Sequence, residues 1–158
     1  MRARCLRVLA GTFFWVAAGA CAGPATGDVP DAAVPLQVDP TLSSIQQKIF
    51  TPSCSFASCH GGNFPQSGVD LRDAQRSFDT MVNRRARRGS CTPDAGPPVL
   101  IVVPGDPDAS QLMDKLERTS AELMAACQGG PMPRANRQLP PEARDAIRQW
   151  ILDGALNN

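Results

Sequence analysis

Apolar and polar positions alternate with helical period in four stretches of this chain. In TLSSIQQKIF, Leu42, Ile45 and Ile49 fall at i, i+3 and i+7, one face of a helix, with Thr41 placed as its N-cap. In LRDAQRSFDTMV, Leu71, Ala74, Phe78 and Val82 share a face. PGDPDASQLMDKL predicts a third helix, with Asp106 as N-cap, Pro107 in the first turn, and Leu112, Met113 and Leu116 facing inward. LPPEARDAIRQWILDGA predicts a fourth, started by Pro141, striped by Ile147, Trp150 and Ile151, and ended by Gly154. One β-branched run, Val99–Val103, reads as a strand-like segment with no evident partner. The pattern predicts an all-α fold over residues 41–158.

The first forty residues fit no such pattern. Arg2, Arg4 and Arg7 precede an apolar run, Val8–Ala18, and small residues follow around Cys21. This is the layout of an export signal over residues 1–20. The run is shorter than the roughly 20 apolar residues of a transmembrane helix. Two readings stand for Cys21: the acylated first residue of a bacterial lipoprotein, or part of an ordinary cleavage region at Ala20 or Ala22. Ala18 sits where lipoprotein signals usually carry Leu. Residues 21–40 are rich in Ala, Pro, Gly and Asp and read as a flexible linker. The expected location is therefore the periplasm, or the outer membrane through a lipid on Cys21. No other segment is suited to a membrane.

Composition narrows the function. The 158 residues carry a net charge of +1; without residues 1–20, 13 basic side chains face 15 acidic ones, a net charge of −2. Neither value suggests nucleic acid, and no nucleic-acid motif is present. The 15 prolines and 13 glycines imply long loops between the helices. The run Arg84–Arg88 reads as a solvated face more readily than as a contact to a cofactor's carboxylate or to an acidic partner.

The single histidine, His60, directly follows the second cysteine of CSFASCH, residues 54–60. A cysteine pair followed by His is the pattern of covalent haem attachment, normally C-x-x-C-H. Each thiol adds to one vinyl group, and the adjacent imidazole is held beneath the iron. Here the spacing is C-x4-C-H, so two extra residues must loop outward, and whether both thioethers form stays open. A short-loop Cys54–Cys59 disulfide, or a zinc site using Cys54, Cys59, His60 and a third Cys, are the alternatives. Oxidation during export disfavours zinc thiolates.

With one histidine, bis-His ligation within the chain is excluded. A thioether suits iron, especially Fe(II). Met81, Met113 and Met124 lie on or near apolar stretches where a core role is expected. Met132 lies in GGPMPR, a loop stiffened by Pro131 and Pro133, and is the candidate distal ligand.

In order, IQQKIFTPSCSFASCHGG, GVDLR, VVPGDPDASQLMDKL, GGPMPR and LPPEARDAIRQWILDGA resemble the cytochrome c-like domains of planctomycete and myxobacterial exported proteins. The resemblance spans nearly all of residues 42–156. It implies a helical domain around one covalently attached haem c, held by Cys54 and Cys59, with His60 the proximal and Met132 the distal iron ligand. Once haem takes two cysteines, Cys91 and Cys127 are the pair left in the domain for a disulfide. The expected function is one-electron transfer with a redox protein or membrane electron-transport component, not enzymatic turnover. A peroxidase would need an open iron position and an acid–base group, and neither is evident. The competing reading is a small disulfide-stabilised exported binding or structural module without haem.

Overall fold

The computed structural model describes residues 36–87, 98–134 and 138–158, all within one compact unit, Pro35–Asn158. Residues 1–20, Cys21 and most of the 21–40 linker lie outside the described residues, as do Arg88 and Cys91. Among the described residues there is no helix long and apolar enough to cross a membrane.

The architecture is all-α. Helix α1 (Leu42–Ile45) continues into a π-helical turn (Gln46–Phe50) and then α2 (Thr51–Ser53), giving one unbroken rod. Thr41 caps it as expected, its Oγ1 accepting from Ser44 N at 3.3 Å. Asn158 closes two further free N–H groups: its Oδ1 accepts from Leu42 N and its main-chain oxygen from Ser43 N, both at 2.9 Å. Leu42, Ile45 and Ile49 are fully or almost fully buried.

Helix α6 (Pro141–Leu152) packs against α1. Its stripe of Ile147, Trp150 and Ile151 is buried in the same core cluster, and the Trp150 indole N–H donates to Leu156 O at 2.8 Å. Pro141 opens the helix where its missing N–H costs nothing. Gly154, at φ +98°, leads the chain out of it.

The two middle helices differ from expectation. Helix α3 (Ala74–Met81) is shorter than its apolar pattern, because Asp73 caps it through Arg76 N at 2.9 Å. Leu71 and Val82 therefore flank the helix, and its buried residues are Ser77 and Met81. Helix α4 (Gln111–Glu117) starts after Ser110, not at Asp106. Asp106 instead closes a turn, accepting from Ala109 N at 3.0 Å. Ser110 Oγ donates to Asp106 O at 2.7 Å and accepts from Val103 N at 2.8 Å. These local side-chain bonds outcompete a first helical turn. Met113 and Leu116 are buried as expected, while Leu112 is only partly covered.

One helix was not expected at all. Helix α5 (Ser120–Ala125) begins with a complete capping box, Thr119 and Glu122 bonding each other's main-chain N–H. Leu123 is its buried residue, and Met124 is 69% exposed, against the core position expected for it. Adjacent residues on a helix point about 100° apart, so only one of the two can face inward.

The Val99–Val103 run does find partners. Val102 forms a parallel bridge with Val82, and Leu100 an antiparallel one with Arg85. These are isolated bridges, and no strand is formed among the described residues.

Candidate functional site

The rod of α1 and α2 ends at Cys54, whose N–H still donates to Phe50 O at 2.9 Å. The four residues between the cysteines fold back on themselves. Phe56 O accepts from Cys59 N at 2.8 Å and Gly61 N at 3.0 Å, and His60 N donates to Cys54 O at 3.2 Å. The extra residues are thus absorbed in a closed turn. The glycines after His60 make this turn achievable. A Cβ on Gly61 would lie 2.2 Å from Ser55 O, and one on Gly62 2.3 Å from Ala57 O.

His60 is gripped twice by one extended segment. Its ring Nδ1 lies 3.0 Å from Val69 O, and its main-chain oxygen accepts from Leu71 N at 2.8 Å. A carbonyl can only accept, so Nδ1 carries a proton, and in the neutral ring the lone pair is on Nε2. At metal sites a ligand imidazole is commonly oriented by a main-chain carbonyl on its other nitrogen. Asp70, between the two gripping residues, is nearly buried and accepts from Arg72 through both carboxylate oxygens.

A cavity of about 370 Å³ opens beside this turn, within the size range of cofactor sites. Cys54, Cys59, His60 and Met132 all line it. Phe50, Val69, Leu71, Ile101, Leu116 and Leu139 make much of its wall apolar. Cys54 and Cys59 are free thiols. Burial, and secondarily the adjacent Cys59, pushes the Cys54 thiol up to about 11, so it is neutral at ordinary pH. Among the described residues no group of three or more His, Cys, Asp or Glu side chains converges as a metal site.

Of the methionines, Met81 and Met132 border the cavity; Met113 and Met124 do not. Met132 arrives on the loop after α5, with its N–H donating to Lys115 O at 2.8 Å, and the Met132–Pro133 peptide is cis. Cys127 is disulfide-bonded. Cys91, its expected partner, lies outside the described residues.

Three cations edge the cavity: Arg87, Lys115 and Arg134. The arginine run is therefore split in use. Arg84, Arg85 and Arg87 are all exposed; Arg84 donates to Asp79 O at 2.7 Å, and Arg87 also borders the cavity. Lys115 Nζ donates to the main-chain oxygens of Gln128 and Gly130. Burial, aided by the Arg134 charge, holds its pKa below the usual lysine range. Gln111, Lys115 and Gln128 were not singled out from the sequence, which offers only isolated polar residues in helical or loop context. The one available signal was position: Lys115 and Gln111 lie four residues apart on a single helix.

No family model matches this chain, and no curated protein or solved structure matches it.

Proposed function

We propose that residues 41–158 form a cytochrome c-like domain that holds one haem c and carries single electrons. The observation that supports this best is convergence: two free thiols, an imidazole with a committed tautomer and a thioether border one largely apolar cavity. That donor set fits a covalently held, His/Met-ligated haem. Cys54 and Cys59 would hold it, His60 would offer Nε2 and Met132 its sulfur. Bound there, the haem supplies a ferric–ferrous couple.

The chain's own residues do the rest. The Val69 carbonyl fixes the imidazole and makes Nε2 the basic nitrogen. The largely apolar wall would limit solvent reorganisation around a bound haem when its charge changes. With both His60 and Met132 as donors, the chain would hold the haem for electron transfer rather than peroxide chemistry. With two cysteines committed to haem, Cys91 and Cys127 are the remaining pair for a disulfide. Residues 1–20 would direct export to the periplasm, with Cys21 as a lipid anchor if acylated. The partner is a redox protein or membrane electron-transport component.

The decisive experiment is expression of the full chain in a host with haem c maturation machinery. The purified protein is expected to keep its haem through denaturing electrophoresis and acid–acetone extraction. A colourless protein, or haem that extracts freely, overturns the proposal. The mass of the mature N-terminus separates acylated Cys21 from simple cleavage.

A further inference from the structure

Helix α4 holds the Met132 loop at several points. Lys115 O, one of the last four carbonyls of the helix and so without an intrahelical partner, accepts from Met132 N at 2.8 Å. The same residue's Nζ reaches back to Gln128 O and, at 2.9 Å, to Gly130 O. Its neighbour Asp114 accepts from Gln128 Nε2 at 2.8 Å and from Arg118 Nε at 2.6 Å. Gln128 is itself buried. Among the described residues the Lys115 ammonium hydrogen-bonds only to these loop carbonyls and forms no ion pair.

The loop needs such a hold. A second cavity, about 280 Å³, lies against it, lined by Leu116, Thr119, Pro131, Met132 and Pro133 among others. Met132 thus borders open space in both cavities, and packing alone does not define where its sulfur sits.

We infer that Lys115 is a positioning residue for Met132: its two bonds to the loop carbonyls keep the thioether at the larger cavity. The inference rests on the haem reading above. A positively charged donor makes stronger hydrogen bonds than a neutral one, and here both acceptors lie within four residues of Met132.

The test uses the full-length holoprotein with Lys115→Met, Lys115→Gln and, as a benchmark, Met132→Ala. The readouts are the weak red absorption of ferric thioether ligation and the dissociation constant for added imidazole, which competes for the distal position. Losing both bonds is expected to tighten imidazole binding at least about tenfold in Lys115→Met and to weaken the red band. Haem content should not change. Lys115→Gln, which keeps one short neutral donor, should fall between Lys115→Met and the parent, and it decides the matter if Lys115→Met does not fold. Parent-like imidazole binding and red absorption in the Lys115 variants, with Met132→Ala altered, overturn this inference alone. A Met132→Ala protein that matches the parent overturns the assignment of Met132 and this inference with it.

Discussion

Ser77 Oγ donates to Gln46 Oε1 at 2.6 Å, joining α3 to the π-helical turn across 31 residues of chain. Gln46 Nε2 in turn donates to Leu71 O at 2.8 Å, and Leu71 N donates to His60 O. A buried polar relay therefore runs from α3 through the first rod to the histidine. Ser77 is fully buried and Gln46 nearly so. Ser77→Ala strips the Gln46 oxygen of this donor where water cannot replace it. The expected cost is about 1–3 kcal/mol, read as a lower urea midpoint with an unchanged slope. An unaltered midpoint would show that the relay contributes nothing.

Gly61→Ala forces a Cβ against the Ser55 carbonyl, a backbone atom that cannot swing aside. The turn between the cysteines must open, displacing Cys59 and His60 together. We expect a loss of about 1–3 kcal/mol and a fall in the yield of covalent haem. Gly130→Ala is the control: nothing lies within 4 Å of its Cβ, and its stability should stay within about 0.5 kcal/mol of the parent. Equal haem yields for the two variants would refute the steric argument.

Acid should loosen the histidine's support. The Arg72 hydrogen bonds hold the Asp70 carboxyl below the usual aspartate range, with Arg76 3.8 Å away adding attraction. Because the folded state prefers the ionised form, this contribution is fully present above the unfolded value of about 4. It is lost as pH falls from there through the lower folded value. Asp70→Asn should therefore lower stability at neutral pH, leave the pH slope there unchanged, and flatten the acid limb of the stability curve below about pH 4. A parent-like acid limb in the variant would rule Asp70 out as its source.

Met132→Ala should lower the midpoint potential and abolish the red thioether band while leaving the haem attached, since Cys54, Cys59 and His60 are untouched. A thioether favours ferrous iron, so its loss shifts the couple downward. Potentiometric titration checks this. Should the potential and ferric spectrum stay as in the parent, Met81 is the next candidate, as the other methionine at the cavity wall; exposed Met124 and core Met113 are not.

Much of the fold was legible because its signals are local. The Leu42, Ile45 and Ile49 stripe, the Thr41 cap, the Pro141 start and the Ile147, Trp150 and Ile151 face depend on helical periodicity and backbone chemistry within a few residues. The capping box of Thr119 and Glu122 was equally local, and α5 could have been read from it. The limits of α3 and α4 were less legible. There, Asp73, Asp106 and Ser110 each had a competing use for a nearby main-chain group, and near-equal local choices are settled by the surrounding packing.

The sequence by itself determined the chemical types on offer: one imidazole beside a cysteine pair, a proline-flanked methionine, and apolar stripes for an all-α core. Only the tertiary structure decided which of them meet. Met132 lies 72 positions after His60, and no local rule specifies that both border one cavity. Neither the Val69 carbonyl that selects the imidazole tautomer nor the lysine that ties the methionine loop to α4 carries a sequence signature. Main-chain carbonyls are alike at every position, and what distinguishes these is where the chain's packing brings them.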